Sequence, residues 1–327
     1  MALSYDQITA TTRKHFIPKL VDNIFTSNVL THRLLKKSKS VSGGEKIVEP
    51  LIYSTGTTGF YNDYDVLDIS PTDEITAAEY DWKFAYAAIT ISRKEELQNS
   101  GPEQVINLLK AKMQIAEKSL KDTFGDAVFS ESSNTSSKFR GFYDLIENYN
   151  GTVGGINSST YSWWQSQLDG CGTYSDDHTN FEEIVDSSKD VYLPKLMRKM
   201  WSDCSEDQDS PTLIVTTPVI FDAYDQCLSD QKRFGASSKS LADAGFLNLL
   251  YRNVPVVADA HCPDGHMYML NENYLQFRHH KDEFFRFEGF QKPINQNVRV
   301  SKIFWAGALT CSNRRYQGVI NDLPTSY

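Results

Sequence analysis

Residues 101–129 read GPEQVINLLKAKMQIAEKSLKDTFGDAVF, and their spacing decides how the rest of the chain is organised. Val105, Leu109, Met113, Ala116, Leu120, Phe124 and Ala127 recur at steps of four or three. That is the period of one face of an α-helix. Ser100 stands at the N-cap, Pro102 falls in the first turn, and Glu103 complements the positive end of the helix dipole. Lys110, Lys112, Lys118, Lys121 and Asp122 lie largely on the opposite side. Gly125 is the weak point of the run. At 1.5 Å per residue the helix would be roughly 40 Å long. By periodicity alone this is an ordinary long amphipathic helix. A single apolar stripe of that length still needs a sheet or other helices laid against it.

On the N-terminal side, residues 1–40 form a basic segment. Arg13, Lys14, Lys19, Arg33, Lys36, Lys37 and Lys39 are opposed only by Asp6 and Asp22. Apolar residues between Phe16 and Leu35 make the segment amphipathic, either a surface helix with a solvated basic face or an arm that docks on another chain. Gly43-Gly44 ends it. Lys46–Tyr53 then reads as a strand, 54–75 as a polar connection, and Thr76–Ile91 as a second strand. In the second strand Ala78, Tyr80, Trp82, Phe84, Tyr86 and Ala88 alternate onto one side. Two strands joined this way form an extended hairpin, which cannot be stable alone in water. It carries an acidic block, with no Lys or Arg from Ile47 to Trp82.

Beyond the long helix, residues 130–160 read as loops around a short apolar piece at Phe142–Ile146. Trp163 and Trp164 read as core or interface aromatics. A second globular unit starts near Tyr192. Leu193–Trp201 is helical, Thr212–Thr216 is a buried strand, Thr217 caps a helix running to about Asp230, and Val254–Ala258 is another strand. This order gives an α/β layer. From His266 onward the chain is strand-rich.

The chain has 327 residues, enough for one large or two medium domains. Its net charge of −9 argues against a cationic coat that grips nucleic-acid phosphates. No secretory signal opens it, and the longest apolar run is too short to span a bilayer. Cys171, Cys204, Cys227, Cys262 and Cys311 are widely spaced, with no CxxC, as for reduced thiols.

His261, Cys262 and His266 are the best metal-type cluster, but their turn residues Pro263, Asp264 and Gly265 account for the segment without a metal. His279, His280 and Asp282 form a weaker one. There is no HExxH, GxSxG, Walker A or GxGxxG. We therefore assign no catalytic residue, metal or cofactor.

The order of segments resembles the major capsid proteins of tailed bacteriophages. The likeness is carried by RKHFIPKLVDNIFTSNVLTHRLLKK, GGEKIVEPL, DEITAAEYDWKFAYAAITISRKEELQNSG and VINLLKAKMQIAEKSLKD in the first half. STYSWW, LIVTTPVIFDAYDQ, NVPVVADAHCP and FQKPINQNVRVSKIFWAGALTCSNRRYQG carry it in the second. It is weakest at 130–157 and 170–190. It implies an α+β chain of the HK97-like capsid fold. The parts would be an N-terminal arm at 1–42, an extended loop at 43–88, a peripheral domain at 89–189 and 263–327 with the long helix as its spine, and an axial domain at 190–262. It implies a structural, non-enzymatic role. Copies of the chain would form hexamers and pentamers of an icosahedral shell around double-stranded DNA, bound without sequence specificity. Portal and separate scaffolding proteins would be partners. No membrane would be involved, and assembly would take place in the host cytoplasm. The arm pattern begins within the first dozen residues, so no N-terminal scaffolding domain is expected to be cleaved from this chain. No Lys-Asn cross-link is identified. The alternatives are an encapsulin-like compartment shell or a cytoplasmic α/β enzyme.

In that fold both arm and loop reach neighbouring subunits. Lys36, Lys37 and Lys39 of one chain are then expected to meet Asp63, Asp65 and Asp68 of another, with Phe60, Tyr61, Tyr64 and Trp82 making the apolar contacts. The simpler alternative is that each charge block is a solvated face.

Overall fold

The computed structural model describes residues 29–98, 102–130, 137–170, 179–206, 208–228 and 249–327. Readings that concern residues 1–28, the Ser100 cap, the end of a helix at Asp230, and the side chains of Val105 and Leu109 lie outside what is described.

The long helix, α3, runs Pro102–Phe129, with α1 (Val29–Lys36) and α2 (Arg93–Gln98) before it. Met113, Ala116, Leu120, Phe124 and Ala127 are all buried, the register read from the sequence. Each large apolar side chain so buried contributes about 1.5–3 kcal/mol. Phe124 is the hub of the packing. Its ring meets Trp305 edge-on at 4.9 Å and lies 5.7 Å from Phe139 and 5.9 Å from Phe285.

What α3 covers is a five-stranded sheet. Its centre is β14 (Val298–Cys311), which pairs antiparallel with β4 (Lys83–Ser92), β12 (Leu275–His280) and β13 (Arg286–Gln291). β1 (Lys39–Val41) adds to β12 in parallel. Residues 29–41 are therefore docked on the chain's own body. Leu30 and Leu34 of α1 are buried, and Arg33 donates to both oxygens of buried Glu272 at 2.6 and 2.7 Å.

A six-stranded sheet has the order β7, β15, β11, β8, β10, β9. These strands are Gln167–Gly170, Gly318–Asn321, Met267–Leu270, Leu213–Thr216, Val254–Ala258 and Leu249–Tyr251. Every residue of β8 and β11 is buried, because both faces of the sheet are covered. Ile214, Val256, Met267, Met269 and Ile320 face α4 (Phe181–Val185), α5 (Leu193–Asp203) and α6 (Pro218–Cys227). Leu213, Val215, Tyr268, Leu270 and Val319 join the core shared with α3. The sheet takes β7, β11 and β15 from outside 190–262, so the unit built on it is wider in sequence than that range. Thr217 does stand at the N-cap of α6 with extended backbone, but its side chain makes no capping bond.

The hairpin is β2 (Ile47–Ile52) and β3 (Ile75–Tyr80), paired from Ile47↔Tyr80 to Ile52↔Ile75. The single strand expected over Thr76–Ile91 is broken at Asp81–Trp82, where the chain leaves β2 and joins β14. The inward side changes there. Ala78 and Tyr80 are buried, whereas Phe84 and Tyr86 are 74% and 70% exposed. Tertiary pairing, which alternation does not encode, decides this.

The apolar piece at Phe142–Ile146 forms a five-residue π-helical turn, Tyr143–Glu147. After it come a small hairpin, β5 (Thr152–Val153) with β6 (Ile156–Asn157), and a 3₁₀ turn, Ser162–Trp164. Arg314, fully buried, holds this region together. Its guanidinium donates to the carbonyls of Leu145, Asn148 and Trp164 and to the hydroxyls of Ser158 and Ser166. Burial pushes its pKa down to about 10. So anchored, the β5–β6 turn reaches the large hairpin, where Glu79 N–H donates to Gly154 O at 2.9 Å. Gly154 has φ +61, and a Cβ there would stand 2.7 Å from the Ala78 Cβ, so position and approach both require glycine.

Candidate inter-subunit surface

The hairpin has a clamped base and an unsupported outer part. At the base, Arg278 on β12 donates to both carboxylate oxygens of Glu49 on β2, at 2.5 and 2.8 Å. The Thr310 hydroxyl adds a third bond to Glu49 at 3.0 Å. Glu49 is buried, so these bonds replace the water it has lost. On β3, the Tyr80 hydroxyl donates to Cys311 O at 2.8 Å and accepts from Cys311 N–H at 3.2 Å. Its pKa is pushed up, chiefly by burial. At the side, Tyr53 stacks on Trp163 at 5.4 Å. The hairpin and the β5–β6 turn enclose a cleft of about 520 Å³ walled by Tyr53, Asp73, Glu79, Gly155, Tyr161 and Trp163.

Past Tyr53 the picture changes. Residues 54–73 are almost all exposed. Phe60 is 109% and Tyr64 99% accessible, and Tyr61, Val66, Leu67 and Ile69 are also exposed. Asp63, Asp65 and Asp68 stand among them. The Asp65 carboxylate accepts from Asn62 N–H. That of Asp68 accepts from Ser70 N–H, and the Ser70 hydroxyl and N–H together hold the Asp68 pKa below its ordinary value. Six large apolar side chains on one projection form the kind of patch that marks an interaction surface.

The residues expected at a contact are thus distributed unevenly. Phe60, Tyr61, Asp63, Tyr64, Asp65 and Asp68 come together on the outer loop. Lys36 and Lys39 are exposed on α1 and β1. Lys37 differs, because its ammonium lies 3.3 Å from Glu272 of its own chain. Trp82 is committed within the chain as well. Its indole N–H donates to Gly44 O at 2.9 Å, its ring meets His280 edge-on, and it packs on the core.

Phe84 and Tyr86 were missed as exposed contact candidates, because continuous alternation placed them on the same side of one strand as Ala78 and Tyr80. They stand on β4 opposite Ala306 and Phe304. The Arg286 guanidinium lies over the Phe304 ring at 5.5 Å. The exposed Val66, Leu67 and Ile69 did have a signal, since apolar residues in a polar connection need a partner.

The metal-type residues point apart. His261 Nδ1 lies 2.9 Å from Asp126 on α3. His266 bonds Asp264 O at 2.7 Å and approaches Glu147 at 3.6 Å, while the Cys262 thiol is buried and its pKa raised by that burial. His279 packs 4.1 Å from Phe284, and burial lowers its pKa. Among the described residues, no three His, Cys, Asp or Glu side chains are grouped to hold a metal ion. Among the same residues no helix is long and apolar enough to cross a membrane.

No family model matches the chain, and no curated protein matches it in sequence. Solved structures do. The capsid protein of cyanophage A-1(L) is similar over 92% of this chain and 93% of its own, at 14% identity and TM-score 0.66. The capsid of a native GTA particle is similar over 88% and 89%, at 11% identity and TM-score 0.59. The holo-SrpI encapsulin complex of Synechococcus elongatus is similar over 91% and 88%, at 9% identity and TM-score 0.56. The chain is a mixed α+β protein with the fold of these shell-forming proteins.

Proposed function

We propose that this chain is a structural, non-enzymatic shell subunit, the major capsid protein of a tailed bacteriophage. Copies associate into hexamers and pentamers and close an icosahedral shell around double-stranded DNA. The observation that carries the reading is the outer hairpin loop, whose exposed apolar side chains have no use in a solitary chain. The fold shared with the cyanophage capsid supports it. On this reading α3 is the spine helix of a peripheral domain, and the six-stranded sheet is the axial domain. The extended loop is the hairpin from β2 to β3, ending at Tyr80 rather than at 88, because Lys83 onward joins β14. Portal and a separate scaffolding protein are its partners during assembly in the host cytoplasm. A net charge of −9 suits a wall to which packaged DNA must not adhere.

Electron microscopy and light scattering of the purified protein test this. Closed shells or capsomer-sized rings are the expected products, and a persistent monomer under assembly conditions overturns the reading. The likeness to the Synechococcus encapsulin complex favours a second reading, a shell around protein cargo. Nuclease-protected DNA inside particles recovered from cells separates the two.

A further inference from the structure

We infer that Glu49 is a positioning residue. Its latch to Arg278 and Thr310, with the Tyr80–Cys311 pair beside it, sets the direction in which the hairpin leaves the body and divides it into a fixed base and a bending outer loop. The use of that direction, presenting the outer loop to a neighbour at one angle, rests on the shell reading above.

Both strands of the hairpin are fastened, and to the same place. Glu49 on β2 bonds Thr310, and Tyr80 on β3 bonds the backbone of Cys311. Thr310 and Cys311 are adjacent at the end of β14, the strand on which the five-stranded sheet is built. Arg278 grips Glu49 from β12, itself paired with that end of β14. A bidentate guanidinium–carboxylate pair fixes orientation as well as distance. A two-stranded ribbon held at a point on each strand cannot rotate about its long axis, which a single anchor would allow. The bonds are inside the protein, where an unpaired charge is costly, so the latch has one well-defined arrangement. Outward from it, the last tie between the two strands is Tyr53 N–H to Glu74 O at 3.0 Å. Beyond that tie the loop is held by local bonds among residues 54–74, such as Asn62–Asp65, Ser70–Asp68 and Thr72–Glu74. The division between held and bending parts therefore falls at Tyr53 and Glu74.

Hydrogen exchange on the dispersed, unassembled chain is the test, using Glu49→Gln, Tyr80→Phe and Thr310→Ser. Glu49→Gln keeps the size of the side chain but removes the charge, and should speed exchange about tenfold in Ile47–Ile52 and Ile75–Tyr80 while α3 stays protected. Tyr80→Phe should do the same, chiefly in β3. Thr310→Ser keeps the hydroxyl and should leave the hairpin as in the wild type. Unchanged hairpin exchange in Glu49→Gln and Tyr80→Phe overturns the inference, as does a rise shared equally by α3 in both. In an assembly arm, Glu49→Gln particles should be mixed in size where wild-type particles are uniform. Uniform, wild-type-sized particles from Glu49→Gln chains with loosened hairpins overturn the link to direction. A wild-type chain that never assembles sinks the shell reading instead and leaves the exchange result standing.

Discussion

The imidazole of His261 occupies the space beside Gly125 of the long helix, where a Cβ would stand 2.5 Å from His261 Cδ2 and 2.7 Å from Nε2. The glycine that weakens the helix on propensity thus leaves room for a ring held against it, and any Cβ there would have to displace that ring. The ring is fixed in turn by its bond to Asp126, the next residue of the helix.

Gly125→Ala should therefore fail to deliver the ~1 kcal/mol that Ala gains over Gly in a helix interior. The ring has to move and lose Asp126, and we expect a net destabilisation of about 1 kcal/mol in the denaturation midpoint. In the His261→Ala background the same change should turn stabilising. A double-mutant cycle measures the difference as a coupling between the two sites. Additive effects would remove the steric explanation.

Glu272 gives a pH-dependent prediction. Burial acts to raise its pKa, but the bonds from Arg33 and the charge of Lys37 outweigh burial and hold it below the ordinary value of 4.5. A carboxylate with a depressed folded pKa contributes stability that is complete above the unfolded value and is lost as pH falls through the folded one. Glu272→Gln should thus cost about 1–3 kcal/mol at pH 7. That is less than for a fully enclosed pair, because Arg33 keeps some solvent contact. The difference between variant and wild type should shrink as pH falls below 4.5, since the wild-type carboxyl then protonates as well. Urea midpoints across that range measure it. A constant difference would mean the carboxylate charge is not what holds α1.

The helix register was legible because a 3.6-residue period survives any context, and Met113 to Ala127 are buried as read. The hairpin was legible from two strand patterns around a polar connection. The switch at Asp81–Trp82 was not, because Ala78, Tyr80, Trp82, Phe84 and Tyr86 alternate without interruption across a change of sheet. Nor was the Glu49–Arg278 latch, whose partners are 229 residues apart. Arg314 shows the same limit. One arginine of an Asn-Arg-Arg run carries no local sign that five acceptors await it. Of the candidate surface, the loop apolar residues could be read directly, whereas the commitment of Lys37 and Trp82 to their own chain required the fold.

Phe60 and Tyr64 separate folding from association. Both are fully exposed in the single chain, so Phe60→Ser with Tyr64→Ser should change its stability by no more than about 0.5 kcal/mol. If the loop is the contact, the same pair of changes should abolish particle formation while the thermal midpoint of the dispersed chain stays put. Particles forming at wild-type yield would remove the loop from the interface.

Charge is the subtler part of the same contact. The expected pairing set Lys36, Lys37 and Lys39 of one chain against Asp63, Asp65 and Asp68 of another. The position of Lys37 beside Glu272 changes how that idea has to be tested. Reversing Lys37 would place a negative charge against a buried carboxylate and damage the subunit itself. Lys36 and Lys39 are the informative positions, since both are exposed. Each exposed pair contributes only about 0.2–1 kcal/mol, and less at high salt. Such pairs select register and partner more than they supply affinity. Lys36→Glu with Lys39→Glu should therefore slow assembly at low salt and matter little at high salt. Adding Asp63→Lys, Asp65→Lys and Asp68→Lys should restore the low-salt rate, followed by light scattering. If the first variant assembles at the wild-type rate in low salt, the two charge blocks are solvated faces and the register is set by the apolar residues alone.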